Sequence, residues 1–269
     1  SEKDLKRAEE WALKALDSPG CNPSMDAHAP YFLAVEIYLR QKKYKKMAEM
    51  LNLAEQRNPE QLLERPFKLG NVPITTIEEG VNAYREQEWS EIYNIAVDLI
   101  NKEKYPKAIE KIEIAMLIDS NRIENYSTMA GIFLQEYDNK NALKVIDKGL
   151  VVDNNSSILN SMKADILIDD NKLSLAEKLY QKAIKFSDNP GPIMRKLLFV
   201  YIDMGKNQKA IDYSNQLLDK YPNDADLYYN VGVLYQRLTL ELFDPTRDLF
   251  LNITVDSNPD LIVKTYQDF

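Results

Sequence analysis

The sequence predicts an all-α chain, a solenoid of antiparallel helix pairs stacked one after another. Three observations predict it: a 34-residue repeat of small apolar residues, apolar spacing at three and four residues inside each repeat, and scarce glycine. Ala108, Ala142, Ala176 and Ala210 stand 34 residues apart. Other columns keep the same step: Ala96, Ala130, Ala164, Leu198 and Gly232; Leu99, Phe133, Leu167, Tyr201 and Tyr235; Ala115, Gly149, Ala183 and Leu217. Columns that hold residue size over one stretch mark a unit repeated in tandem. With 8 glycines, the chain has little of the turn punctuation that a strand-rich fold requires.

Each unit reads as two helices. Met194, Leu197, Leu198 and Tyr201 recur at three- and four-residue steps, one face of a helix. Met204-Gly205-Lys206-Asn207 then breaks the pattern as a tight turn with glycine at a helix end. A second periodic run follows through Ala210, Tyr213, Leu217 and Leu218, and Pro222 stops it, with Asn223 or Asp224 placed to cap the next helix. Alanine at both contact columns lets the paired backbones nest.

On these columns the chain resembles the tetratricopeptide repeat family. The match is carried by Tyr228, Val231, Gly232 and Tyr235; by Ala164, Ala176, Tyr180 and Ala183; by Leu197, Tyr201, Ala210 and Pro222; and by Tyr31, Ala34, Tyr38, Ala54 and Pro59, with Met47 where alanine is usual. The resemblance implies a right-handed superhelix of about six units, some incomplete. Taken in order, residues 1–22 read as the second helix of a partial repeat, with Ala8, Ala12 and Ala15 on one face. Residues 28–61 are a repeat and 62–88 an insertion, a loop and then a helix. Repeats follow at 89–122, 123–156, 157–190 and 191–224, and 225–269 is a divergent or truncated repeat or cap. Pro66, Gly70 and Pro73 predict irregular chain in the first half of the insertion. From about Thr76 the apolar stripe of Ile77, Val81, Tyr84, Ile92, Ile95 and Leu99 predicts one long helix to about 103. In the tail, Asp244-Pro245 and Ser257-Asn258-Pro259 read as helix starts.

Chemistry leaves few traces. A net charge of −8 argues against a nucleic-acid partner, since phosphate binding draws on clustered cations. No apolar run is long enough to span a membrane. One cysteine, Cys21, excludes an internal disulfide and a thiolate metal cluster. The one histidine, His28, reads as a surface or helix-start residue with no nucleophile or orienting partner marked. Asp169-Asp170-Asn171 reads as a solvated helix end, with too few oxygen ligands for calcium. Phosphate-cradling glycine loops, nucleophile elbows and zinc-binding helices are absent from the sequence. The expectation is a non-catalytic protein with no cofactor and no metal.

The resemblance also implies a concave groove lined by the first helix of each unit. Onto that face map Phe32, Tyr93, Val97, Asp165, Asp169, Arg195, Phe199, Tyr229 and Arg237, as the expected partner-binding residues. The lysine and asparagine pattern of family members that clamp carboxylates is missing, and so is the asparagine ladder of sugar-transferring members. The function implied is a scaffold binding a protein or peptide in that groove, in assembly of a complex. Docking through the convex face or the 62–88 insertion, and carriage of a small molecule or lipid, are the alternatives. Ser1 in place of Met fits a processed or trimmed start, and resemblance to repeat chains of the bacterial envelope favours a periplasmic or envelope location over a cytoplasmic one.

Overall fold

The computed structural model describes residues 2–18 and 25–242. These fall into two compact units, divided between Leu159 and Asn160. The expected tail helices and Cys21 lie outside the described residues.

In the first unit, α1 (Glu2–Asp17) packs on a helix that begins as α2 (His28–Phe32) and continues as a π-helical turn over Leu33–Tyr38. The chain reverses at Lys42 into α3 (Tyr44–Arg57). A β-hairpin follows, β1 (Leu62–Leu69) and β2 (Val72–Thr76), then α4 (Ile77–Asn101), α5 (Tyr105–Ile118), α6 (Ile123–Gln135) and α7 (Asn139–Val152). The unit boundary falls inside α8 (Ser157–Asp169). The second unit continues with α9 (Leu173–Lys185), α10 (Gly191–Asp203), α11 (Asn207–Lys220) and α12 (Ala225–Leu242).

Helices pair where side chains are small. Ala96, Ala108, Ala115, Ala130, Ala142, Ala164, Ala176, Ala183 and Ala210 are all 0% exposed. Gly149 on α7 takes this to its limit, because a Cβ there would lie 2.8 Å from the Cβ of Tyr126 and 2.5 Å from Leu159 Cδ1. Larger residues fill the space around these contacts: Ile112, Ile118, Ile132, Ile146 and Leu159 in the first unit, Tyr180, Leu197, Leu198 and Leu217 in the second.

The turn between paired helices is also repeated. Glu103, Tyr137, Asn171 and Gly205 each adopt a left-handed backbone, φ 55°, 58°, 56° and 65°. They stand 34 residues apart, and Lys42 (φ 54°) makes the same turn in the first pair. There the pattern carries one residue too many: the buried Ala34 precedes its left-handed residue by eight positions, where Ala96, Ala130 and Ala164 precede theirs by seven. The π-helical turn over Leu33–Tyr38 absorbs that residue, since π geometry fits one more residue into a turn.

The expected irregular loop is instead an antiparallel hairpin. Gly70-Asn71 forms its two-residue turn, with Gly70 at φ 59°, which suits a glycine-first turn of the mirror-image kind. Pro66 does not break the ladder because it lies in a bulge, between the pairs Leu62–Thr76 and Phe67–Ile74. Pro73 stands on a two-stranded sheet whose outer edge needs no donor. Leu63 and Ile74 join the buried core. Thr76 then starts α4 with a reciprocal cap: its Oγ1 accepts from Glu79 N–H (3.3 Å), and its own N–H donates to Glu79 Oε2 (3.1 Å). The hydroxyl of Tyr31 lies against Gly80, and the Tyr31 and Phe67 rings flank Tyr84 at 6.2 and 5.7 Å.

Gly149 and Gly131 separate packing from helix propensity. Gly149→Ala meets Tyr126 and lowers stability by about 1–2 kcal/mol. Gly131→Ala on α6 meets nothing within 4 Å and gains about 0.5–1 kcal/mol. Chemical denaturation of the two variants reads both; equal effects would refute the close-contact account.

Candidate functional site

The residues mapped to the first-helix face do not share one environment. In the first unit, Phe32 is 44% exposed. Tyr93 and Val97 on α4 are half-buried. Tyr93 stacks on Trp89 (4.8 Å between ring centres), and its hydroxyl lies 2.6 Å from Thr128 Oγ1 on α6. Trp89 in turn donates through Nε1 to Asn125 Oδ1 (2.9 Å), whose Nδ2 donates to the Asp119 carbonyl (3.0 Å). Arg122 stands 4.6 Å over the Trp89 ring and donates to Asp119 and Glu86. Tyr93 is thus a member of a polar-aromatic network that fixes α4 against α6.

In the second unit, two expected contact residues are already paired. Asp165 on α8 accepts from the Tyr180 hydroxyl (2.5 Å) and from Lys196 Nζ at 3.0 and 2.8 Å. Burial and the charges of Asp165 and Asp169 push the Tyr180 phenol well above its usual range, so it remains a donor. Arg195 donates to Asp224, and the other Asp224 oxygen accepts from Leu227 N–H (3.0 Å) at the start of α12. Arg195 therefore secures a helix start. Asp169 is exposed. Phe199 on α10 and Tyr229 on α12 are 39% and 74% exposed. Tyr228 and Val233, outside the expected set, add 52% and 39% exposed side chains on α12. The side chain of Arg237 lies outside the described residues.

The second helices carry their own charge staple. Glu177 on α9 accepts from Lys206 (2.7 Å) and Lys209 (2.6 Å) on α11, and Lys209 also stands 4.3 Å over the Tyr201 ring. His28, expected as a helix-start residue, opens α2 and ties it to the hairpin: Nε2 donates to the Leu62 carbonyl (2.8 Å), and Nδ1 lies 3.0 Å from Gln61 Nε2. Among the described residues no group of three His, Cys, Asp or Glu is placed to hold a metal ion. No described helix is long and apolar enough to cross a membrane.

No protein-family model matches the chain, and no curated protein matches it. Several solved structures resemble it. MamA is 19% identical, covering 56% of this chain and 82% of its own, with a TM-score of 0.48. YrrB, a TPR protein with an unusual peptide-binding site, is 20% identical over 55% of this chain and 76% of its own, TM-score 0.45. A thermophilic TPR protein of Thermus thermophilus is 16% identical over 76% of this chain and 96% of its own, TM-score 0.45. The hairpin architecture itself is read from this chain's own backbone.

The Glu177 staple has a pH signature. Burial pushes this carboxyl up, but the hydrogen bonds and charges of Lys206 and Lys209 outweigh it and hold the pKa below the usual value. A carboxylate held low when folded stabilises above its unfolded pKa, and that contribution is lost as pH falls through the folded value. The wild-type melting temperature therefore falls more steeply than that of Glu177→Gln below about pH 5. At pH 7 the variant loses about 1 kcal/mol, because both lysines are partly screened by water. Parallel melting profiles would contradict the staple.

Proposed function

We propose that this chain is a non-catalytic scaffold that binds a protein or peptide segment on the first-helix face of its hairpins, in assembly of a larger complex. The observation that carries this reading is the outward display of Phe199 and Tyr229, with Val233 one turn beyond Tyr229. Leu198, Val200 and Val231, adjacent or nearly adjacent in sequence, are buried, so the fold's apolar requirement on α10 and α12 is met by other residues. Exposed aromatics of this kind anchor interfaces, because they bury a large area for few frozen torsions.

The neighbouring charges narrow the partner. Asp165 and Arg195 are compensated within the chain, while Asp169 remains open to solvent. A segment with apolar side chains over Phe199 and Tyr229 and a Lys or Arg toward Asp169 is the matching ligand. In this reading Phe32, Tyr93 and Val97 form the corresponding face of the first unit.

A second reading has its own observation. Leu69 and Val72, paired across the hairpin turn, are 47% and 61% exposed. They suit the hairpin for docking a structural partner in place of the helix face.

Peptides selected against the chain by display, followed by calorimetry, separate the two. Phe199→Ala and Tyr229→Ala are each expected to weaken binding by about tenfold or more, while Leu69→Ser with Val72→Ser leaves it unchanged. The reverse pattern would assign binding to the hairpin and refute the helix-face reading.

A further inference from the structure

The first helices do not all bury the same positions. At the 34-residue step, Glu91, Ile95 and Asp98 of α4 correspond to Asn125, Met129 and Ile132 of α6 and to Leu227, Val231 and Leu234 of α12. Those later residues are buried, in helices that pack on the second helix of the pair before them. In α8 and α10 the same positions are buried or half-buried. On α4 all three are exposed, Ile95 at 38%.

The insertion accounts for the difference. α4 has 25 residues where α6 has 13, and the added length lies at its N-terminal end. The first pair packs against that added part. Tyr31 of α2 lies against Gly80 and Tyr84, and Arg85 donates to Asn52 and Glu55 of α3. Tyr44, where α3 begins, stands within electrostatic reach of Glu88 and Glu91. The first pair is therefore set back along α4, and the later part of that helix rises past it as a bare step, roughly 10 Å from Glu91 to Asp98 at 1.5 Å per residue. At the foot of the step Glu88 is buried, and Lys42 acts on it from the turn. The carboxylates of Glu91 and Asp98 make no ion pair or hydrogen bond with any described residue, Lys102 included.

We infer that this step seats a basic amphipathic helix of a partner protein. In α6 and α12 a helix of the preceding pair covers these positions, which makes a helix the matching shape. Charge selects its chemistry. Ile95 lies between two unpaired carboxylates, so the complement is an apolar side chain with Lys or Arg about one turn to either side on the same face. An acidic helix, a phosphate backbone or an anionic bilayer is repelled by the same two groups. Seating the helix removes from water the apolar area at Ile95 that the fold itself removes at Met129 and Val231. By helical spacing Tyr93 and Val97 fall on another face of α4. Neither they nor Phe199 and Tyr229 take part, so this site is independent of the binding role proposed above.

A displayed library of amphipathic helices, selected on the full chain, tests this through calorimetry of the selected peptides, with circular dichroism showing that each variant keeps its helices. The expected peptides carry an apolar residue flanked by Lys or Arg. Their affinity falls about tenfold or more for Ile95→Asp, and likewise for Glu91→Lys combined with Asp98→Lys, while Phe199→Ala leaves it unchanged. Exchanging the peptide cations for Glu restores binding to the charge-reversed chain, because each pair again has opposite signs. A selection that yields no peptide sensitive to these substitutions would overturn the inference. So would peptides that respond to Ile95→Asp but are indifferent to charge reversal.

Discussion

The close approach of helix backbones at alanine and glycine is the constraint on which the rest of the structure depends. Ala108, Ala115, Ala142, Ala176, Ala183 and Ala210 are wholly buried, and Gly149 has no room for one more carbon beside Tyr126. At that separation Ile112, Ile146 and Leu217 are wholly removed from water. Each such side chain contributes roughly 1.5–3 kcal/mol. Ordering a single helix pair costs about 1–2 kcal/mol per residue in backbone entropy alone. One pair cannot offset that cost from its own interior, so the pairs are stable through their neighbours, as in repeat arrays generally.

Given that constraint, the chain tolerates irregularity wherever it leaves the small contacts in place. Five helix turns share one left-handed residue, and only one of these is glycine; Lys42, Glu103, Tyr137 and Asn171 occupy the rest. A left-handed conformation costs a side-chain-bearing residue about 1 kcal/mol, so packing of the flanking helices, more than local preference, dictates the turn. The π-helical turn after Phe32 follows the same logic, taking up one extra residue so that Ala34 and Ala54 both remain at 0% exposure. The hairpin at 62–76 is a larger case: it enters between α3 and α4, contributes Leu63 and Ile74 to the core, and hands the chain to a capped helix start at Thr76.

What the sequence made legible is what depends on residue size at fixed spacing. The alanine columns and the apolar stripes located the helix pairs, and Gly205 located a turn, because each signal lies within a few residues or recurs with the repeat. The hairpin was obscured by Pro66 and Pro73, although Gly70-Asn71 between two apolar runs is itself a turn signal. On the candidate face, the pairing of the charged side chains was not legible. Asp165 and Lys196 are 31 residues apart in sequence, and Arg195 and Asp224 are 29 apart, so their pairing appears only once neighbouring helices are side by side. Tyr93 reads from the sequence as a groove-facing aromatic, whereas its contacts with Trp89 and Thr128 follow from packing. The burial of Glu88, 8% exposed and pushed up in pKa by burial and by Glu91, gave no local signal at all.

The distribution of satisfied and unsatisfied groups separates the side chains that hold the fold from those left for the proposed binding face. On the second helices of the second unit, Glu177, Lys206 and Lys209 satisfy one another across α9 and α11. On the first helices, Lys196 with Asp165 and Arg195 with Asp224 do the same, so the charges there are occupied in holding the fold. Phe199 and Tyr229, like Tyr228 and Val233, keep exposed apolar surface while Leu198, Val200 and Val231 are buried. The exposed part of each ring is apolar area that folding leaves in water and a partner can remove from it. In the proposed reading, specificity on such a face comes from shape and apolar contact, and the exposed carboxylate of Asp169 favours a cationic segment.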